Sequence, residues 1–153
     1  MAIKSDYKKG DAAKEFRKIQ DEIDKEIIRA MSYAGEKFVT NARNMTKTQG
    51  GFGDVTGNLR SSIGYFILKD GEIIKSDTKQ FSGNKGNGSE GFASAITGLL
   101  YIEKKTGFQL VGIAGMNYAS HVETKGLNVV TLQGDVMLID LEKFYKILEN
   151  RFK

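Results

Sequence analysis

The chain has 153 residues, 40% apolar and 27% charged, a balance that fits one soluble globular domain, residues 1–153, rather than a disordered segment. Its net charge of +4 is spread along the chain, without the basic block or stripe of a dedicated nucleic-acid binder. With no cysteine and one histidine, His121, disulfides, thiolate sites, a cysteine nucleophile and a histidine-rich metal centre are excluded, and no apolar run approaches the ~18–20 residues that cross a bilayer.

Residues 1–12 read as a flexible N-terminal arm, and Met1–Gly10 lacks the apolar core of a signal peptide. From 13 to 46, Phe16, Ile19, Ile23, Ile27, Met31, Ala34, Phe38, Ala42 and Met45 recur in steps of three and four with charges between them. That spacing predicts one long amphipathic helix, with Asp11 as its N-cap. Thirty helical residues span about 45 Å, whereas a compact domain of this size is about 39 Å across. Either the helix breaks near Ser32 and Gly35, or one end leaves the globule and packs on something else. The start, near Phe16 and Ile19, lies farthest from the first strand and is the candidate assembly surface.

Residues 47–58 are rich in glycine and predict a loop. Ile63, Tyr65 and Ile67 then alternate with Gly64, Phe66 and Leu68, Asp70-Gly71 is a hairpin turn, and Glu72–Lys75 starts the return strand. Residues 76–94, polar and containing four glycines, predict a long mobile loop. Leu99–Glu103 and Phe108–Ala114 predict a second hairpin, and Val129–Thr131 a further short strand. Val136, Met137, Leu141, Phe144, Tyr145, Leu148 and Phe152 mark a C-terminal helix. The expected fold is α+β: a long N-terminal helix on a mostly antiparallel sheet of four or five strands, closed by a C-terminal helix.

Signs of catalysis are weak. Gly86-Asn-Gly88-Ser-Glu-Gly91 matches a dinucleotide fingerprint in letters, but no strand feeds it directly, so it reads as loop. His121 sits beside Ser120 and Glu123, yet neighbours on one short segment cannot align as nucleophile, base and orienter. No carboxylates pair for acid–base work. No enzyme activity, cofactor or metal is expected.

Two segments carry more. Asp54-Val-Thr-Gly-Asn-Leu-Arg-Ser-Ser-Ile63 enters the first strand, and Gly115-Met-Asn-Tyr-Ala-Ser-His-Val-Glu123 follows the last long one. In this order and spacing they resemble the phage family typified by HK97 gp10, the tail-completion or head–tail joining proteins. The resemblance covers roughly residues 13–150. It implies a structural virion protein of a tailed phage or prophage, made in the bacterial cytoplasm. Such a protein forms a homo-oligomeric ring at the head–tail junction or tail end, beside other neck and tail proteins and with no membrane. DNA would pass its lumen without sequence-specific binding.

The motif residues also have physical roles of their own. Thr56 and Gly57 suit a turn in which glycine takes positive φ, and Leu59 and Ile63 suit burial as the strand begins. Ser62 completes the strand entry. Arg60 offers a planar fork for a carboxylate, with Glu123 the candidate partner. Tyr118, Ala119 and Val122 suit a helical turn packed on the sheet. Both motifs either hold the fold or contact a neighbouring subunit. The alternative function is a small stand-alone nucleic-acid-binding module using residues 76–94 and scattered lysines.

Overall fold

The computed structural model describes residues 10–53, 57–76 and 88–151. Helix α1 runs unbroken over Asp11–Asn44, so of the two ways to reconcile its length with the globule, the structure takes the second: an overhanging end. Gly10 stands at the N-cap and Asp11 falls in the first turn, where its charge faces the positive end of the helix dipole. The helix therefore takes in residues 11 and 12 of the expected arm; residues 1–9 lie outside the described residues.

Gly35 does not break α1. A Cβ there would lie 2.5 Å from the Tyr65 ring, so the glycine lets the helix backbone sit directly on the sheet. Gly112 does the same from the other side, with the Phe38 ring where its side chain would be. A glycine read from sequence as a weak point is thus a contact point.

After a short 3-10 turn at Lys47–Gln49 comes the single-turn helix α2, Asn58–Ser61. It leads into β1 (Ile63–Lys69), and β2 (Glu72–Ser76) returns antiparallel. Asp70 and Gly71 both have positive φ, 52° and 82°, as a two-residue primed hairpin turn requires. Helix α3 covers Gly88–Leu99, β3 covers Phe108–Ala114, α4 covers Ala119–Thr124 and α5 covers Thr131–Arg151. The fold is α+β as expected, but the described sheet has three antiparallel strands in the order β2-β1-β3, not four or five.

Three segments depart from expectation, and the last two account for the missing strands. Residues 88–94, expected in a mobile loop, form the first half of α3; residues 77–87 lie outside the described residues. Leu99–Glu103, expected as a strand, is the end of α3 and a turn, and β3 pairs instead with β1 along its whole length, from Ile63↔Ala114 to Lys69↔Phe108. Val129–Thr131 leads into α5, and the nearby pairing is an isolated bridge between Gly51 and Asn128. Glycine content misled because α3 carries glycines for close approach. A Cβ on Gly91 would lie 2.5 Å from that of Ser62, and one on Gly115 would strike the Gly91 carbonyl.

Strand β1 lies between two cores, which explains its nearly continuous apolar run. Ile63, Tyr65 and Ile67 face Phe38, Val39 and Ala42 of α1. Phe66 and Leu68 face Ala95 and Leu99 of α3. Helix α5 lies along α1, joined to it by Lys37–Asp140 at 2.6 Å, and α1 is tied to the sheet by an ion pair between Asp24 and Lys69.

Candidate functional site

The fold brings the two sequence motifs together at the start of β1. Gly57 takes φ 82° and opens α2, as the turn reading required; Thr56 lies outside the described residues. Leu59 and Ile63 are buried in the α1-side core with Ala119. Ser62 is fully buried, its hydroxyl donating to the Leu59 carbonyl at 2.8 Å. Its own carbonyl accepts from the Gly115 N–H at 3.0 Å, which joins the first motif to the second. The Arg43 guanidinium, from the last turn of α1, donates to the carbonyls of Ser61 and Ile63 at 3.3 and 3.0 Å.

Arg60 and Glu123 do not pair, which corrects the sequence expectation. The Arg60 guanidinium lies over the Phe52 ring, 5.5 Å from its centroid, and donates to the Met45 carbonyl at 3.4 Å. Glu123 turns toward α5 and accepts the N–H groups of Val130 and Thr131 at 3.0 and 2.7 Å. Burial pushes this carboxyl up, but hydrogen bonds from Thr131 and from the backbone of residues 129–131 outweigh it, and its pKa lies below the ordinary carboxylate value. Glu123 is the cap of α5: a carboxylate on the free amides at the positive end of a helix. A planar fork and a carboxylate in two neighbouring motifs suggested each other; each found a nearer backbone partner.

Ala119 is buried and Val122 packs against the same core, as the helical-turn reading had it. Tyr118 sits at the N-cap of α4 and is 38% exposed, so its ring is partly at the surface. His121 is exposed. Gly88 and Gly91 of the fingerprint-like run lie in α3, and Gly86 lies outside the described residues. Among the described residues no group of three His, Cys, Asp or Glu could hold a metal ion, and no helix is long and apolar enough to cross a membrane.

The motif cluster is therefore a junction tying α1, β1, α4 and α5 together. Residues 10–124 match a phage family model, HK97-gp10_like, whose description reads "Bacteriophage HK97-gp10, putative tail-component". The chain belongs to the HK97 gp10-like family. The match spans about three quarters of the chain and ends with α4, leaving α5 beyond it. No curated protein and no solved structure matches the chain.

Surface features give this family member its second candidate site. Residues 12–22 of α1 are all exposed, with Phe16 at 73% and Ile19 at 46%. Their stripe continues through Ile23 and Ile27 into an apolar groove of about 430 Å³ between α1 and α5, floored by Phe108 and walled by Phe144 and Leu148. No residue of α5 is fully buried, although Leu138, Ile139, Tyr145 and Ile147 are large, apolar and exposed. The apolar period marked Tyr145 and the α1-facing side of α5 but not Leu138, Ile139 and Ile147; the signal was present, since apolar residues occupy more than one face of the helix. Sequence analysis also missed Leu100 and Tyr101, which follow α3 and stand in solvent at 77% and 87%.

Proposed function

We propose that the chain is a non-enzymatic structural protein of the virion that forms a ring at the head–tail junction or the tail end, as a tail-completion or neck protein. Membership of a phage tail-component family supports the virion assignment. The observation that favours assembly is the bare apolar stripe of α1: over three helical turns Phe16 and Ile19 stand exposed, with none of the described residues covering them. An exposed apolar patch of this kind on a folded domain marks a contact surface. The groove and α5 extend the same face. In this reading the motif residues Gly57, Leu59, Arg60, Ser62, Ala119, Val122 and Glu123 serve assembly by fixing the helices that present the surface, and Tyr118 is the motif residue whose ring reaches the surface. The partners are further copies of this chain and adjoining neck and tail proteins, and DNA passes through the lumen without sequence-specific contact.

Light scattering on the purified chain over a range of concentrations, with a salt-dependent DNA titration alongside, tests the proposal. A defined ring with negligible DNA affinity supports it. A monomer at all concentrations whose DNA binding falls steeply with salt overturns it in favour of the nucleic-acid-binding module.

A further inference from the structure

The sheet has two outer strands, and they are not alike. Strand β2 is the shorter: it is five residues long, carries Glu72 and Lys75, and its pairing with β1 shifts register between Ile67 and Leu68. Strand β3 is seven residues, Phe-Gln-Leu-Val-Gly-Ile-Ala, without a charge, a proline or a break in register. Every second residue of such a strand turns its N–H and C=O away from the neighbouring strand. Among the described residues β3 has no neighbour on that side. Each of its residues stays partly exposed, whereas β1, paired on both edges, is buried over Ile63–Leu68.

We propose that in the assembled ring, a reading on which this inference rests, β3 of each subunit hydrogen-bonds in parallel to β2 of the next. Topology dictates the direction. Both outer strands run antiparallel to β1 and so point the same way. Subunits related by rotation about a ring axis keep that sense, so an edge-to-edge join between β3 and a neighbour's β2 is parallel and head-to-tail, the arrangement that closes rings. Pairing of β3 with a second β3 about a two-fold axis is antiparallel and stops at a dimer.

Two further features select β2 as the occupant. Its side chains Ile73 and Ile74 are apolar yet 46% and 42% exposed, unlike those of a strand that ends in solvent. Charge also matches: Glu72 and Phe108 both lie opposite Lys69, so at level register Glu72 of the next subunit meets the end of the sheet where Glu103, Lys104 and Lys105, a net-positive run, precede β3.

The absence of cysteine in the chain gives a clean test. Gln109 and Ile73 both lie opposite Leu68, on the two sides of β1. Within one subunit they are two strand spacings apart, about 9–10 Å, too far for a disulfide. The double variant Gln109→Cys/Ile73→Cys should therefore give, under mild oxidation of the full-length protein, a ladder of covalent oligomers ending at the ring size found by light scattering. Each single variant should give none. A parallel set with Ile74→Cys in place of Ile73→Cys covers a one-residue offset. Hydrogen exchange gives an independent readout without substitution: on assembly of the unmodified protein, alternate β3 amides should slow about tenfold or more. A ring that forms with no ladder from either pair and unchanged β3 exchange overturns the strand pairing and leaves the ring standing. A closed dimer, or no assembly at any concentration, overturns both.

Discussion

The two ends of α1 carry the same repeating pattern of apolar and charged residues and meet opposite fates. From Ser32 to Ala42 the helix is pressed onto the sheet, with Ala34, Phe38, Val39 and Ala42 buried and Gly35 against the Tyr65 ring. From residue 12 to residue 22 every residue is exposed, Phe16 and Ile19 included. Burying a Phe or Ile side chain is worth roughly 1.5–3 kcal/mol each, which the first end forgoes in the isolated chain. Periodicity fixes which face of a helix is apolar; it does not say what covers that face.

The sharpest way to break the comparison is at the buried end. Phe38→Ala removes the ring that fills the space over Gly112 and should cost about 3–5 kcal/mol, read as the loss in denaturant-unfolding free energy. For a domain of marginal stability that is a large share of the total. A loss below 1 kcal/mol would mean that this end of the helix is not core.

Gly35→Ala sharpens it further, because two effects oppose. In an exposed helix the change would gain up to about 1 kcal/mol of propensity. Here the new Cβ would lie 2.5 Å from a fully buried Tyr65 ring, and overpacking of that kind costs about 1–3 kcal/mol. Net destabilisation is expected in thermal or urea unfolding. A stabilised Gly35→Ala protein would show that the helix does not bear on the sheet at this point.

The motif junction gives smaller effects. The folded pKa of Glu123 is depressed, so its contribution is present above the unfolded carboxylate value of about 4.3 and fades as pH falls through the folded value. Glu123→Gln should cost about 1 kcal/mol at pH 7, the usual worth of a helix cap. The gap between the wild type and this variant should close on acidification, which urea midpoints at pH 7 and pH 3 would reveal; a gap that stays constant would contradict the capping role. Arg60→Ala and Glu123→Ala should add within about 0.5 kcal/mol in a double-mutant cycle, since the two side chains bind different groups. Coupling well above that would restore the ion pair.

Much of this architecture was legible in the sequence. The α1 stripe, the β1–β2 hairpin with its Asp70-Gly71 turn, α5 and the positive φ of Gly57 all follow from local rules of period and turn chemistry. What failed was non-local. Gly91 made the first half of α3 look like loop because a glycine's reason, here the approach of Ser62, lies on another element. Leu99–Glu103 looked like a strand because a short apolar run has no period to distinguish the end of a helix from a strand. Glu123 looked like the partner of Arg60 because nothing in the sequence places α5 across its path. The family motifs were readable as a pair, and the structure adds that Gly115 and Ser62 join them through one backbone hydrogen bond.

The central claim is that the overhanging end of α1 is an assembly surface rather than a part of the core. Its most direct test is the double variant Phe16→Ser/Ile19→Ser, followed by thermal unfolding and light scattering on the same sample. Exposed positions tolerate such changes within about 0.5 kcal/mol, so the melting temperature should stay near that of the wild type while the ring is lost. A variant that assembles like the wild type, or one that unfolds as badly as Phe38→Ala, would contradict the account.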